Sequence, residues 1–512
     1  MPDTQTTQLD AVYRYAALQR LAESDEPVDV VVIGGGITGV GAALDAATRG
    51  LAVVLVEAQD LAFGTSRWSS KLVHGGLRYL ATGDVGIARE SAMERHRIMT
   101  TIAPHLVSPM TQLVPIHSDT KPLTRGLVRA GFVAGDALRL SAGTKGSTLP
   151  RSRHVRAARV LEYCPTVRPD GLRGGLVAHD GQLIDDARLV VGVARTAASH
   201  GATILTYTKA VSVEPGQVQL EDVRTGQTFT VATRSVINAA GVWADQVDPT
   251  IKLRPSRGTH LVFDAKAFGN PTAALTVQIP GHTNRFVFAM PEQLGRVYLG
   301  LTDEDAPGPV PDEPVPADSE IDFLIDTINL ALAQPVSRAD VIGMYAGLRP
   351  LLQSEGSTAD LSRNHAVLQG YSGMISVVGG KLTTYRKMAE DAVDKAVQTA
   401  GLTAGPCRTA TMPLIGAAPA PAPAGTPKSL IARFGGESAR VVDKANIGDP
   451  LAQIADGIDV TRAEIEYAFT HEGAITVDDV LHRRTRIGLA PADADKARPA
   501  VEKIADAVGI TR

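Results

Sequence analysis

Only two cysteines, Cys164 and Cys407, occur in 512 residues, so no disulfide framework is available and a reducing compartment fits. No stretch approaches the ~18 uncharged apolar residues a bilayer-spanning helix needs, which excludes an integral helical membrane protein. Charge of one sign is not in excess either. The formal net charge of -4 argues against a dedicated nucleic-acid binder. The first 29 residues carry Asp3, Asp10, Glu23, Asp25 and Glu26 without a continuous apolar core, so neither a signal nor a transit peptide is expected. Within them, Asp10 to Leu21 is expected to form a short amphipathic helix. No internal repeat is found. With 44% hydrophobic and 21% charged residues, the balance is that of a soluble globular protein of more than one domain.

The most informative stretch is Asp29-Val30-Val31-Val32-Ile33-Gly34-Gly35-Gly36-Ile37-Thr38-Gly39. A β-branched run suited to a strand buried on both faces feeds a glycine turn, and Thr38 to Arg49 reads as a helix closed by Gly50. Gly34 allows the tight turn, Gly36 lets a pyrophosphate meet the backbone, and Gly39 lets helix and strand pack closely. The next strand, Leu51 to Val56, ends in Glu57, where a carboxylate can accept hydrogen bonds from an adenosine ribose and disfavours a 2'-phosphate. Strand, helix, second strand and acid in register predict dinucleotide binding. They do not separate NAD from FAD.

The run Ala62 to Leu80 is dense in hydroxyls, glycines and cations, with Thr65, Ser66, Ser69, Ser70, Lys71, His74, Gly75 and Gly76. Such groups suit a pyrophosphate and the polar edge of a flavin. Helices are expected over Ile87 to Ile102 and Ala187 to His200, with Asp180 to Asp186 as a turn before the second. Strands are expected over Thr203 to Thr208, Val211 to Leu220 and Phe229 to Ile237. The last runs into Asn238-Ala239-Ala240-Gly241-Val242-Trp243-Ala244-Asp245, a second close approach to a cofactor. Antiparallel strands are expected from Gly258 to Leu301, an exposed acidic loop over Asp303 to Pro316, and a helix over Glu320 to Leu332. Ile375 to Val378 leads into Gly379-Gly380-Lys381-Leu382-Thr383 and another helix. The Ala/Pro stretch Gly416 to Pro427 marks a flexible join. Beyond it the spacing is helical, with Arg483, Arg484 and Arg486 expected on a solvated face. Between Lys121 and Arg159, nine Lys or Arg face a single acid, Asp136, interleaved with apolar residues. That zone suits an anionic membrane surface or a solvated face that steers an anionic substrate.

Through Gly34 to Gly39, Glu57, the Ser69 to Leu80 run, Asn238 to Asp245, Gly347 to Leu351 and Gly379 to Arg386, the chain resembles the FAD-dependent glycerol-3-phosphate dehydrogenases. The resemblance covers nearly the whole length. It implies an α/β fold of the D-amino-acid-oxidase type: a Rossmann-type FAD-binding domain, a mixed or antiparallel substrate domain and a small all-α C-terminal domain. The expected division is an N-terminal extension (1–27), an oxidoreductase region (28–404), an Ala/Pro linker (405–427) and a helical domain (428–512). Within the oxidoreductase region, FAD-binding segments are expected at about 28–110, 180–245 and 365–400. Noncovalent FAD would be held by Gly34, Gly36, Ile37, Thr38, Gly39, Glu57, the hydroxyl and glycine run above, Ala240, Gly241, Trp243 and Gly379 to Thr383.

The implied reaction is oxidation of sn-glycerol 3-phosphate to dihydroxyacetone phosphate, with electrons passed to membrane quinone at the inner face of the cell membrane. A homodimer is a further possibility. Such chemistry asks for cations to hold a dianion and one base to take the hydroxyl proton. Arg78, Arg349, Arg363 and Lys381 lie in strand-end or glycine-bounded loops, and the resemblance turns His260 toward the flavin as base, with Tyr79 and Thr383 as neutral partners. An oxygen-reducing oxidase of the same fold would share every motif. A flavin-binding sensor without turnover, or an NAD enzyme, accounts less well for the clustered cations and the repeated glycine approaches.

Overall fold

Two sheets, each drawn from segments far apart in the sequence, position everything else; a computed structural model describes residues 8–76, 84–282, 285–353, 364–370 and 372–510. In the first sheet the order is His365–Gln369, Ile375–Gly379, Thr228–Asn238, Val28–Ile33, Val53–Val56, Thr203–Leu205. All neighbours but the first pair run parallel. Val30, Val31, Val32 and Val54 are buried, as a strand covered on both faces requires. One face carries the helices Ile37–Thr48, Asp186–Ser199 and Tyr385–Ala400, packed through Val40, Leu44, Val190, Ala194, Ala389 and Val393. The other is closed by the antiparallel strands Thr208–Glu214 and Gln217–Asp222 and by the helix Ala11–Glu23. That N-terminal helix forms where its amphipathic pattern predicts. Asp10 caps it, accepting from Tyr13 N at 2.7 Å, and Arg14 ties it to Asp222.

The first turn needs its glycines. Gly34 has φ +112°, and a Cβ on Gly39 would lie 1.8 Å from the Gly34 carbonyl oxygen, so only glycine lets the helix start this close to the strand.

In the second sheet, Leu253–Asp264 pairs antiparallel with Arg296–Gly300 and Val341–Leu352. The sheet continues through Phe286–Glu292, Ala274–Gln278, Val107–His117 and Leu172–Leu183. Helix Asp318–Asn329 covers it, with Ile321, Leu324, Ile325 and Ile328 in one core with Phe263, Val287 and Leu299. The expected turn at Asp180 to Asp186 is corrected here: strand Leu172–Leu183 runs through it and only the last residues turn. Gly181 serves close strand contact, since a Cβ there would lie 2.9 Å from the Val73 carbonyl oxygen.

Beyond Lys428, helices Lys428–Phe434, Ser438–Asp443, Arg462–His471 and Pro491–Ala507 enclose Ile465, Phe469, Leu481, Ile487, Val501 and Ile504. A short hairpin, Gln453–Ala455 with Ile458–Thr461, is added to the helices. The join before this region is no free tether at its start, because Gly436 N donates to the Gly416 carbonyl at 2.9 Å. Arg483, Arg484 and Arg486 are not solvated but buried, paired with Asp60, Asp479 and Asp185. Those acids are buried too and need countercharge, a demand that helical spacing does not record. No described helix is long and apolar enough to cross a membrane.

Candidate functional site

The parallel strands end level with one another: Ile33 pairs with Asn238, and Asn238 with Ser376. The turns that follow, at Gly34, Ala240 and Gly379, therefore meet at one edge, where open α/β sheets bind their ligands. A cavity of about 1360 Å³ begins there and runs on between the two sheets. Ordinary small-molecule pockets span roughly 300–1,000 Å³, so this one has room for a dinucleotide and a second molecule.

At its nucleotide end, Glu57 accepts from Gly35 N at 2.6 Å and Gln59 N at 2.8 Å. Burial pushes the Glu57 carboxyl up from its ordinary value, against the lowering effect of those two bonds. Helix Ile37–Thr48 has Gly36 at its N-cap and no side-chain cap, and Ser66 Oγ accepts from Ile37 N at 2.9 Å. Lining this part are Gly34, Gly36, Ile37, Thr38, Glu57, Thr65, Ser66, Ser69, Ser70, His74, Ala240, Gly241, Trp243 and Gly379 to Thr383.

Four expected contacts lie off the cavity. Lys71 is buried, its Nζ donating to the Arg67 and Ser69 carbonyls at 3.0 Å and to Asp186 at 2.8 Å. Its ammonium is therefore engaged elsewhere. Gly75 packs on a buried Arg95–Asp180 pair, its own N–H donating to Asp180 at 3.0 Å. Gly76 does not line the cavity, and Gly39 serves the helix–strand contact described above. Arg78, Tyr79 and Arg363 fall outside the described residues.

The second sheet supplies His260, fully buried and paired across strands with Gly300 and Tyr345. Its ring stacks on Tyr345 with centroids 4.7 Å apart, and Gly300 makes the space, since a Cβ there would lie 2.3 Å from the ring. Its Nε2 is 2.9 Å from Ser70 Oγ, while Nδ1 has no partner among the described residues. Burial, then the nearby cations Lys71 and Arg349, hold its pKa well below the ordinary histidine value, so the imidazole is neutral at neutral pH. Arg349 crosses Gly258 to reach Asp303 at 3.0 Å, Ser256 Oγ at 3.1 Å and the Thr302 carbonyl at 3.2 Å. Lys381 donates to Ser91 Oγ at 2.6 Å, and Thr383 Oγ accepts from His74 N at 3.2 Å.

Sequence reasoning missed Asp303, Ser256, Ser91 and Tyr345, which are set by cross-strand or interhelical partners. The loop expected over Asp303 to Pro316 is exposed or half-buried along its whole length, and two of its acids make ion pairs. Asp303 pairs with Arg349, and Glu313 pairs with the buried Arg67 at 2.8 Å.

The far end of the cavity is apolar, with Val114, Leu127, Phe132, Phe286 and Phe288. Leu127 and Phe132 belong to helix Pro122–Ser141, which exposes Leu123, Leu127, Val133 and Leu140. Of the nine cations between Lys121 and Arg159, Arg139 is buried and bonded to the Thr144 carbonyl, and the others are exposed.

Residues 29–386 match the FAD dependent oxidoreductase family, and 407–510 match the C-terminal domain of alpha-glycerophosphate oxidase. The chain is 64% identical to glycerol-3-phosphate dehydrogenase 1 of Mycobacterium tuberculosis over 95% of its own length and 96% of that protein's. It is 33% identical to a glycerol-3-phosphate dehydrogenase of Synechocystis, over 91% and 90% of the two chains. Among solved structures, the glycerol-3-phosphate dehydrogenase of Bacillus halodurans complexed with FAD superposes with a TM-score of 0.75 at 27% identity. That match covers 98% of this chain and 95% of the other. The L-alpha-glycerophosphate oxidase of Mycoplasma pneumoniae shares the fold at a TM-score of 0.56 and 16% identity, over 76% of this chain and 99% of its own. With a dinucleotide turn at one end of its cavity and this likeness along nearly all its length, the chain belongs to the FAD-dependent oxidoreductases, in the group of glycerol-3-phosphate dehydrogenases and oxidases.

Proposed function

We propose that the protein oxidises sn-glycerol 3-phosphate to dihydroxyacetone phosphate and passes the electrons to a membrane quinone. The observation that carries this reading is the continuity of one cavity from the Gly34 turn to His260, Arg349 and Lys381. The residues present fit FAD: a Cβ at Gly36 would stand 3.1 Å from Ser66 Oγ, in the space a pyrophosphate needs, and Gly36 at the N-cap brings no side chain of its own to the helix start. Glu57 keeps acceptor capacity for a ribose beside its two backbone bonds. When bound, FAD supplies the hydride acceptor.

The chain's own residues then do the rest. Arg349 and Lys381, joined by Arg78 and Arg363, hold the substrate's phosphate and its developing alkoxide. Tyr79 and Thr383 add neutral hydrogen bonds. His260, kept neutral by burial, takes the C2 hydroxyl proton, and the cavity-lining Ser70 holds its hydroxyl 2.9 Å from the His260 Nε2. The exposed leucines and cations of Lys121 to Arg159 support docking on an anionic membrane from the cytoplasmic side, with the apolar end of the cavity beside that helix.

A second reading, an oxidase returning electrons to oxygen, draws support from the match of 407–510 to the oxidase C-terminal domain. Purified protein given glycerol 3-phosphate should form dihydroxyacetone phosphate and reduce a water-soluble quinone under argon. Turnover that proceeds only with oxygen, releasing peroxide, would select the oxidase. No product under either condition would sink both.

A further inference from the structure

Arg483, Arg484 and Arg486 are buried where the helical C-terminal region meets the loop that follows Glu57. Burying three guanidinium groups is costly unless each is paired, and their partners lie at or beside the two ends of one loop. At its start, Arg484 holds both oxygens of Asp60 at 2.8 Å and Arg483 adds a bond at 2.7 Å. At its end, Arg486 donates to the Arg67 carbonyl at 2.5 Å, lies 3.2 Å from Asp185 and stands 5.4 Å from the Trp68 ring centroid. The same Arg67 carbonyl accepts from Lys71, which also donates to the Ser69 carbonyl and to Asp186, and Asp186 accepts in turn from the N–H and hydroxyl of Ser69.

Between and beside these anchors stand the cavity-lining hydroxyls. Ser66 accepts from the start of helix Ile37–Thr48, Thr65 donates to the Leu348 carbonyl next to Arg349, and Ser70 meets His260. The direction of Arg486 is set by its backbone, which has φ +61° although it is not glycine, and whose carbonyl accepts from Arg296 at 2.9 Å.

We propose that the C-terminal region is a working part of the FAD site, with Arg486 the positioning residue that fixes the Arg67–Ser70 loop against the cofactor cavity. This assignment concerns FAD and does not depend on which substrate is oxidised.

Arg486→Met tests it. Arginine and methionine bear the same left-handed backbone strain, so the change removes the guanidinium alone. The matched control is Arg195→Met, which cuts another buried link to the C-terminal region, the Arg195–Glu437 pair with bonds at 2.7 and 2.6 Å, away from the loop. FAD affinity is read without substrate, by quenching of flavin fluorescence on adding the cofactor to protein freed of it. Both variants should melt at lower temperature, but only Arg486→Met should bind FAD about tenfold more weakly or worse, with an altered bound-flavin spectrum. Affinity within twofold of the parent in Arg486→Met, or an equal loss in Arg195→Met, overturns the assignment. Should Arg486→Met fail to fold, Arg486→Lys, which keeps one donor for the Arg67 carbonyl, carries the same test. It should bind FAD severalfold more weakly than the parent, and unchanged affinity would again refute the role.

Discussion

Replacing Gly36 by valine should remove FAD while leaving the fold in place. Gly36 carries no left-handed φ: at φ -77° and ψ 177° its backbone is open to any residue, unlike Gly34 at φ +112°. Nor does it brace the strand, as Gly39 does with its 1.8 Å approach. The Cβ itself meets only Ser66 Oγ, at 3.1 Å, and the two valine methyls must then extend into the cavity. What they displace is the pyrophosphate from the backbone donors of the helix start. Two charge-assisted hydrogen bonds lost, at about 1.5–3 kcal/mol each, give about 3–6 kcal/mol, or roughly 10²–10⁴-fold weaker binding. Titration of the cofactor-free variant with FAD measures this, and circular dichroism checks the fold. A Gly36→Val protein that purifies fully yellow refutes the placement of the pyrophosphate.

Further outcomes follow from the same geometry. His260→Ala should retain FAD yet slow the limiting anaerobic reduction of the flavin by ~10²–10⁴-fold, as loss of a positioned base does; an unchanged limiting rate removes His260 from the chemistry and leaves Lys381 as the next candidate base. Arg349→Ala should act mainly by raising the glycerol 3-phosphate concentration needed for half-maximal reduction, and a pure fall in limiting rate would contradict that. Burial and nearby arginines push His105, His471 and His482 down to about 4. Between that value and the unfolded ~6.5 the native state binds fewer protons than the unfolded one, so stability is full above about 6.5 and lost as pH falls toward 4. Denaturant midpoints at pH 7.5 and 5.5 should differ in that direction, and a higher midpoint at 5.5 would be against it. Leu123→Ser with Leu140→Ser, at positions 74% and 65% exposed, should weaken binding to anionic vesicles about a hundredfold, since two buried leucines contribute about 3 kcal/mol or more. High salt should weaken it as well. Vesicle binding unchanged by both would rule this face out.

The features legible in the sequence are those whose cause is local. A β-branched run, a glycine turn and an alanine-rich helix declare the first strand–turn–helix because each conformational demand is met within a few residues. The same holds for the hairpins around Gly216 and Gly226, both with positive φ, and for the helix capped by Asp10. What escaped depends on partners remote in the chain. Gly181 reads as a turn residue until strands Val107–His117 and Leu72–Val73 press against it from both sides. Lys71 sits amid cofactor-like hydroxyls but bonds to Asp186, and Arg484 bonds to Asp60, more than four hundred residues away. The candidate site divides in the same way. The glycine and hydroxyl runs that line the cavity are continuous in sequence, whereas the contacts of His260 with Ser70 and Tyr345 arise only when the two sheets meet.

The central claim is that one cavity holds FAD against glycerol 3-phosphate with the chain's own base and cations in place. Anaerobic addition of glycerol 3-phosphate to the purified flavoprotein, followed by absorbance, tests it most directly. The account predicts a yellow protein whose flavin bands bleach in one fast phase, with one dihydroxyacetone phosphate formed per flavin. Bands that persist unchanged at saturating glycerol 3-phosphate would contradict it.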